Sequence, residues 1–283
     1  MTTALKPPLH PRTADALAQL ANASATGVLI TGPLGAGVTA AADHYLDLLT
    51  FAEPRPEVIE LQTDNPSLAI DDVRHLSARL KHRAGPDHRR IVIIRDAHKL
   101  TTEAQNSLLK PLEEPGLNTQ FILVTNQAEL LLPTIHSRLQ TVVVHDPRLE
   151  DLKDYFRDVP EQQLERLIKA TGGKFELIEG LLRESNGDKS LVAAVDQAKQ
   201  LLKAKPFERL VQLGKAEPDR AAALELCDAL QVVLASLLRL KTHSQPDELK
   251  RLLEQIELVG QTRTGLVANG NVKLILTQLA VAL

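Results

Sequence analysis

Residues 27–39 read GVLITGPLGAGVT. The run Gly27 to Thr31 is short and apolar, as a buried strand requires. It ends in a glycine turn, and a helical pattern opens behind it. Strand, glycine loop and helix in that order are the setting of a phosphate-binding loop. Such a loop needs glycines whose N–H groups face phosphate, a lysine that neutralises it, and a Ser or Thr for Mg²⁺. Gly32, Gly35, Gly37 and Thr39 supply the glycines and the hydroxyl. Val38 stands where the lysine is needed, and its branched apolar side chain cannot replace that charge. Read alone, the stretch is equally a glycine turn between strand and helix that holds no ligand.

Strand and helix signals alternate up to Pro147. Val58 to Leu61, Ile91 to Ile94, Phe121 to Val124 and Val142 to Val144 are further short apolar runs. Between them, Ala41, Ala42, Tyr45, Leu46 and Leu49 share one helical face. Asp71 is placed to cap a helix carrying Val73, Leu76 and Leu80. Thr102 and Gln105 read as a capping box ahead of the stripe Ala104, Leu108, Leu112. Apolar strands separated by helices imply an α/β fold with a parallel sheet covered on both faces. After Pro147 charged amphipathic helices take over. Gly172-Gly173 and Asn186-Gly187-Asp188 are breaks between helical units. The expected division is 1–147, an α/β domain, 148–187, a small helical domain, and 188–283, a second helical domain.

Composition narrows the function. Apolar residues make up 43% of the 283, enough for a real core, but aromatics are 2% and Trp is absent. Leu, Val, Ile and Ala must therefore fill it. A net charge of −3 gives no global electrostatic case for nucleic acid. Cys227 is the lone cysteine, so no internal disulfide or cysteine-cluster zinc site forms, and a buried thiol is expected. The first 20 residues lack an unbroken apolar segment, and no run of 18 apolar residues exists. A cytoplasmic protein with no membrane partner is the expectation.

The strand Ile91 to Ile94 continues into Arg95 and Asp96. In ATPases of this architecture a strand ends in two acids, one linked to Mg²⁺ and one polarising the attacking water. Arg95 occupies the first position, where it repels the metal. Asp96 occupies the second, one methylene shorter than the usual glutamate, and reads equally as a solvated loop acid. Lysine and metal carboxylate are thus both missing, and intrinsic ATP hydrolysis is not expected.

The run Arg89 to Gln140, RRIVIIRDAHKLTTEAQNSLLKPLEEPGLNTQFILVTNQAELLLPTIHSRLQ, resembles the bacterial clamp-loader AAA+ family. The TTEAQNSLLK-LEEP and LLPTI-SR blocks carry the likeness, together with Pro11 to Thr39 and Glu57 to Arg74. Among the branches of that family the delta-prime subunits of DNA polymerase III agree best, since they often carry a defective nucleotide site. The resemblance implies an AAA+ ATPase-like domain, a helical lid and a helical collar that oligomerises. It implies a place in a five-subunit assembly with motor (gamma/tau-like) and delta-like subunits, acting on the sliding clamp and primed DNA. ATP and magnesium would belong to the partner subunits, with no cofactor of this chain's own. Arg138, after Ser137, falls where the family carries the arginine finger lent to a neighbour's ATP site. Thr125 and Asn126 fall at the sensor position of active relatives, where a strand-end cap is the other reading.

This sequence departs from the family in several places. A four-cysteine zinc module after the loop helix is absent. Leu139 replaces the cysteine of the Ser-Arg-Cys triplet. Pro111 should kink or end its helix early. Lys174-Phe175-Glu176-Leu177 follows the glycine pair with no sensing arginine before Arg183. His82, His88 and His98 read as surface residues without ligand spacing, so no metal site is expected. Lys81-His82-Arg83 and His88-Arg89-Arg90 form a basic run that could face DNA or simply be a solvated loop. Two alternatives stay open: an active AAA+ ATPase with an atypical loop, and a nucleotide-independent adaptor on the same fold.

Overall fold

The computed structural model describes residues 6–23, 25–51, 55–63, 65, 67–81, 89–116, 118–182, 189–240 and 246–283. They fall into two compact units. The first comprises Met1–Pro33 and Gly37–His145, and the second Leu34–Ala36 and Asp146–Leu283. The break expected near Gly187 lies outside the described residues.

The first unit is an α/β layer structure. Its elements run α1 (Pro11–Asn22), β1 (Gly27–Thr31), α2 (Val38–Thr50), β2 (Glu57–Leu61), α3 (Ile70–Lys81), β3 (Arg90–Ile94), α4 (Thr102–Glu113), β4 (Thr119–Thr125), α5 (Pro133–His136) and β5 (Gln140–Val143). The strands make one sheet in the order β2-β3-β4-β1-β5, and every pairing is parallel. β3 and β4 are buried along their whole length, which is why they read as unbroken apolar runs. In the edge strand β2 only Ile59 is buried. The stripe Ala104, Leu108, Leu112 packs with Leu29, Val92, Ile94 and Phe121 into the core on one face of the sheet. On α2, Ala41, Ala42, Tyr45 and Leu49 are buried, and the Tyr45 hydroxyl accepts a hydrogen bond from Gln120 Nε2 at 2.8 Å.

Local details differ from the sequence expectation in three places. Asp72, not Asp71, caps α3 by taking the Ala69 N–H at 2.7 Å, while Asp71 pairs with Arg74. Thr101, not Thr102, caps α4, accepting from Ala104 N at 3.2 Å. Gln105 is not part of a capping box, because it is buried and its side chain bonds elsewhere. Pro111 does not end α4 at once: the helix runs on two residues to Glu113, and Glu114 N–H reaches Lys110 O at 3.0 Å. A proline in the last turn removes one donor with little helix left beyond it to disturb.

The second unit is all helical: α6 (Leu149–Tyr155), α7 (Glu161–Thr171), α8 (Phe175–Leu182), α9 (Lys189–Lys203), α10 (Pro206–Ala216), α11 (Arg220–Leu240), α12 (Pro246–Val267) and α13 (Val272–Ala282). α11 is its axis, packed by α7, α9, α12 and α13. By length and composition α11 alone among the described helices is apolar enough to cross a membrane, and half of its apolar window is buried inside the structure. Cys227 sits on α11 fully buried, as expected of a structural thiol.

Candidate functional site

The glycine loop has the backbone of a cradle without its cation. Gly35 and Gly37 adopt positive φ values of 77° and 95°, which lets the turn reverse into α2. Val38 is buried, 6% exposed, and a β-carbon at Gly32 would lie 3.3 Å from a Val38 methyl. The position that would carry a lysine is therefore an apolar packing position. Thr39 is exposed on the first turn of α2. Leu34–Ala36 is grouped with the second unit, where Glu176 N–H donates to Gly35 O at 3.3 Å.

At the end of β3, Arg95 is 18% exposed and clasped by two carboxylates. Nη2 donates to Asp43 Oδ1 at 2.6 Å, and Nε donates to Glu60 Oε1. Burial works against this charge, but the hydrogen bonds and charges of Asp43 and Glu60 outweigh it and raise the pKa above the usual arginine value. A fixed cation thus sits at the strand end where a metal-linked acid would be. Asp96 follows in a left-handed conformation, φ 49°, and pairs with Lys99 at 3.0 Å.

Thr125, at the end of β4, is 2% exposed. Its Oγ1 accepts from Gln127 N at 3.0 Å and lies 2.9 Å from His98 Nδ1. His98 is thus half-buried and bonded across the strand ends rather than a free surface residue. Nothing in its spacing signalled this, because Thr125 lies far along the chain. Asn126 follows, half-buried. Arg90 also departs from expectation. It is 7% exposed and donates to Glu57 at 2.9 Å and to Leu80 O at 3.3 Å, so it does not face solvent or DNA. Residues 82–88 of the basic run lie outside the described residues. In the second unit, Lys174 is tied to Asp146 at 2.7 Å. No group of His, Cys, Asp and Glu able to hold a metal occurs among the described residues.

Ser137 and Arg138 sit on the turn between α5 and β5. Ser137 Oγ donates to Thr134 O at 3.1 Å, and Arg138 N donates to Ile135 O at 3.1 Å. Leu139 is buried and packs over the start of β1: a β-carbon at Gly27 would lie 2.6 Å from Leu139 Cδ2 and 3.2 Å from Arg138 O.

The sheet sorts these residues into two groups. The glycine loop, Arg95-Asp96 and Thr125-Asn126 follow the C-terminal ends of β1, β3 and β4. Ser137-Arg138 precede the N-terminal end of β5, which runs parallel to β1. The arginine turn and the glycine loop therefore lie at opposite ends of the sheet, about 13 Å or more apart along the strands.

The model for the family "DNA polymerase III, delta subunit" matches residues 21–148. This stretch carries the likeness to the bacterial clamp-loader AAA+ family. The chain is 30% identical over 170 residues to DNA polymerase III subunit delta' of Pseudomonas aeruginosa, covering 51% of this chain and 52% of that protein. It is 42% identical over 72 residues to the Escherichia coli delta' subunit, 25% of this chain and 22% of that one. It is also 30% identical over 131 residues to the gamma/tau subunit of Mycobacterium bovis, 39% of this chain and 22% of that protein. The chain thus spans about half or less of the curated relatives named here. In fold it is similar to a DNA polymerase III gamma subunit-related protein of Thermotoga maritima, with a TM-score of 0.51, 22% identity, and coverage of 95% of this chain and 97% of the other. The family match falls on the unit that carries the parallel sheet, and the likeness in fold extends over the helices that follow it.

Proposed function

We propose that this chain is a delta-prime-like subunit of a clamp loader, hydrolyses no ATP itself, and lends Arg138 to the ATP site of a neighbouring motor subunit. One observation carries the reading. Arg138 lies at the end of the sheet opposite its own glycine loop, so it cannot serve a nucleotide bound there. An arginine finger supplied in trans stabilises charge on the transferring phosphoryl group and contributes roughly 10³ to 10⁵ in rate. The loop's buried Val38 and the Arg95 clasp support the absence of intrinsic turnover, since neither phosphate nor Mg²⁺ finds its usual partner. They also weigh against an active ATPase with an atypical loop. The adaptor reading gives Arg138 no task.

On this reading ATP and magnesium belong to gamma/tau-like partners, a delta-like subunit completes the ring, and the sliding clamp and primed DNA are met through the assembly. The last helices form the oligomerising collar, and the work is cytoplasmic. The test is a complex reconstituted with wild-type or Arg138→Ala chains, assayed for ATPase with clamp and primed DNA. Arg138→Ala should assemble normally and cut the stimulated rate. Equal rates from equally assembled complexes would sink the reading.

A further inference from the structure

We propose that Glu113 restrains Arg138, holding its guanidinium until a phosphate oxyanion on a neighbouring chain displaces the carboxylate. This rests on the reading of Arg138 as a residue acting in trans. Every nitrogen of the guanidinium is engaged. Nη1 donates to Thr134 O at 2.7 Å and to Ser137 Oγ at 3.2 Å. Those bonds come from the arginine's own turn and set where the group points. Nε and Nη2 both donate to one oxygen, Glu113 Oε1, with Nε at 3.0 Å. That edge is the one whose fork geometry matches a carboxylate or a phosphate. The protein thus fills the recognition edge with an anion of its own.

Glu113 is well placed to be exchanged. It is the last residue of α4, at the same end of the sheet as the arginine turn. Its side chain is 50% exposed, and that of Arg138 is 28% exposed. Water reaches both, so the pair is weak. A nucleotide phosphate, with more negative charge and more acceptor oxygens, displaces it at the same edge while the Nη1 bonds keep the aim. Glu113 is therefore a positioning residue. The carboxylate must leave before bound or reacting nucleotide is met, so it opposes both states alike. Such an effect appears in KM rather than in kcat.

Reconstituted complexes carrying wild-type, Glu113→Gln, Glu113→Asp or Arg138→Ala chains should be compared for ATPase against ATP concentration, with clamp and primed DNA. Glu113→Gln should lower KM for ATP by about two- to fivefold, the range an exposed ion pair commands, and leave kcat within about twofold. Glu113→Asp should return KM toward wild type. An unchanged KM in Glu113→Gln, with Arg138→Ala slow, makes Glu113 a bystander and overturns the inference alone. A kcat in Glu113→Gln as low as in Arg138→Ala makes it a support and overturns it too. Full activity of Arg138→Ala instead overturns the trans reading on which both rest. In the isolated chain, the Arg138 Nε–H should be protected from solvent exchange and lose that protection in Glu113→Gln. An unprotected wild-type Nε–H would show that the clasp does not form.

Discussion

Asp43, on the helix that follows the glycine loop, accepts Arg95 Nη2 at 2.6 Å. With Glu60 on the other donor, it makes Arg95 a built-in counter-ion between β2, β3 and α2. Arg95→Met should leave two half-exposed carboxylates facing each other, both still partly solvated. The expected loss is about 1 kcal/mol, the scale of a partly exposed pair. Urea unfolding of the two chains measures it, and no change would mean that the clasp contributes nothing to stability.

Restoring the loop lysine should not restore catalysis. In Val38→Lys the phosphate cation returns, but Arg95 still occupies the strand end. ATP turnover by the isolated variant should stay at background. Magnesium-dependent hydrolysis by Val38→Lys alone would show that Arg95 does not block the site.

Gln105 is a junction. Its Nε2 donates to Leu100 O and Leu130 O, each at 3.1 Å, and its Oε1 accepts Leu132 N–H at 2.7 Å. Gln105→Ala would leave these buried or half-buried backbone groups without partners. A cost of about 3 kcal/mol follows from one to two such orphans plus lost packing. The readout is the shift in urea midpoint at constant slope, and a shift near zero would mean that water replaces the side chain.

Cys227 should resist alkylation in the folded chain. Burial, with the neighbouring Asp228 charge adding to it, pushes the thiol pKa from 9.0 up to about 12. At pH 8 the thiolate fraction is on the order of one in ten thousand. The thiol holds its proton more tightly folded than unfolded. Its contribution to stability is thus complete below about pH 9 and is lost as the pH rises toward about 12. Iodoacetamide labelling should require denaturant, and a Cys227→Ala chain should show a flatter loss of stability across that alkaline window.

Much of the fold was legible because the central strands are buried on both faces. Ile91 to Ile94 and Phe121 to Val124 could only be apolar runs. β2 was weaker because an edge strand buries only Ile59. The helix caps slipped by one residue where two candidates stood side by side, Asp71 with Asp72 and Thr101 with Thr102. Of the site, the missing lysine and the arginine at the strand end could be read directly. The clasps could not. Arg95 finds Asp43 and Glu60, His98 finds Thr125, and Arg138 finds Glu113, each through strand order rather than sequence neighbourhood.

The contact between Gly27 and Leu139 ties the aim of one residue to the identity of another that has no functional group. A β-carbon at position 27 would lie 2.6 Å from the end of the Leu139 side chain and 3.2 Å from the carbonyl of Arg138, so the leucine must turn aside or the turn must shift by a few tenths of an ångström, and a shift of the turn carries Arg138 with it. In a genetic screen, substitutions at Gly27 would then phenocopy those at Arg138 in a chain that still folds. An evolutionary drift in this protein's partnership could begin at the first residue of β1, with the arginine itself untouched.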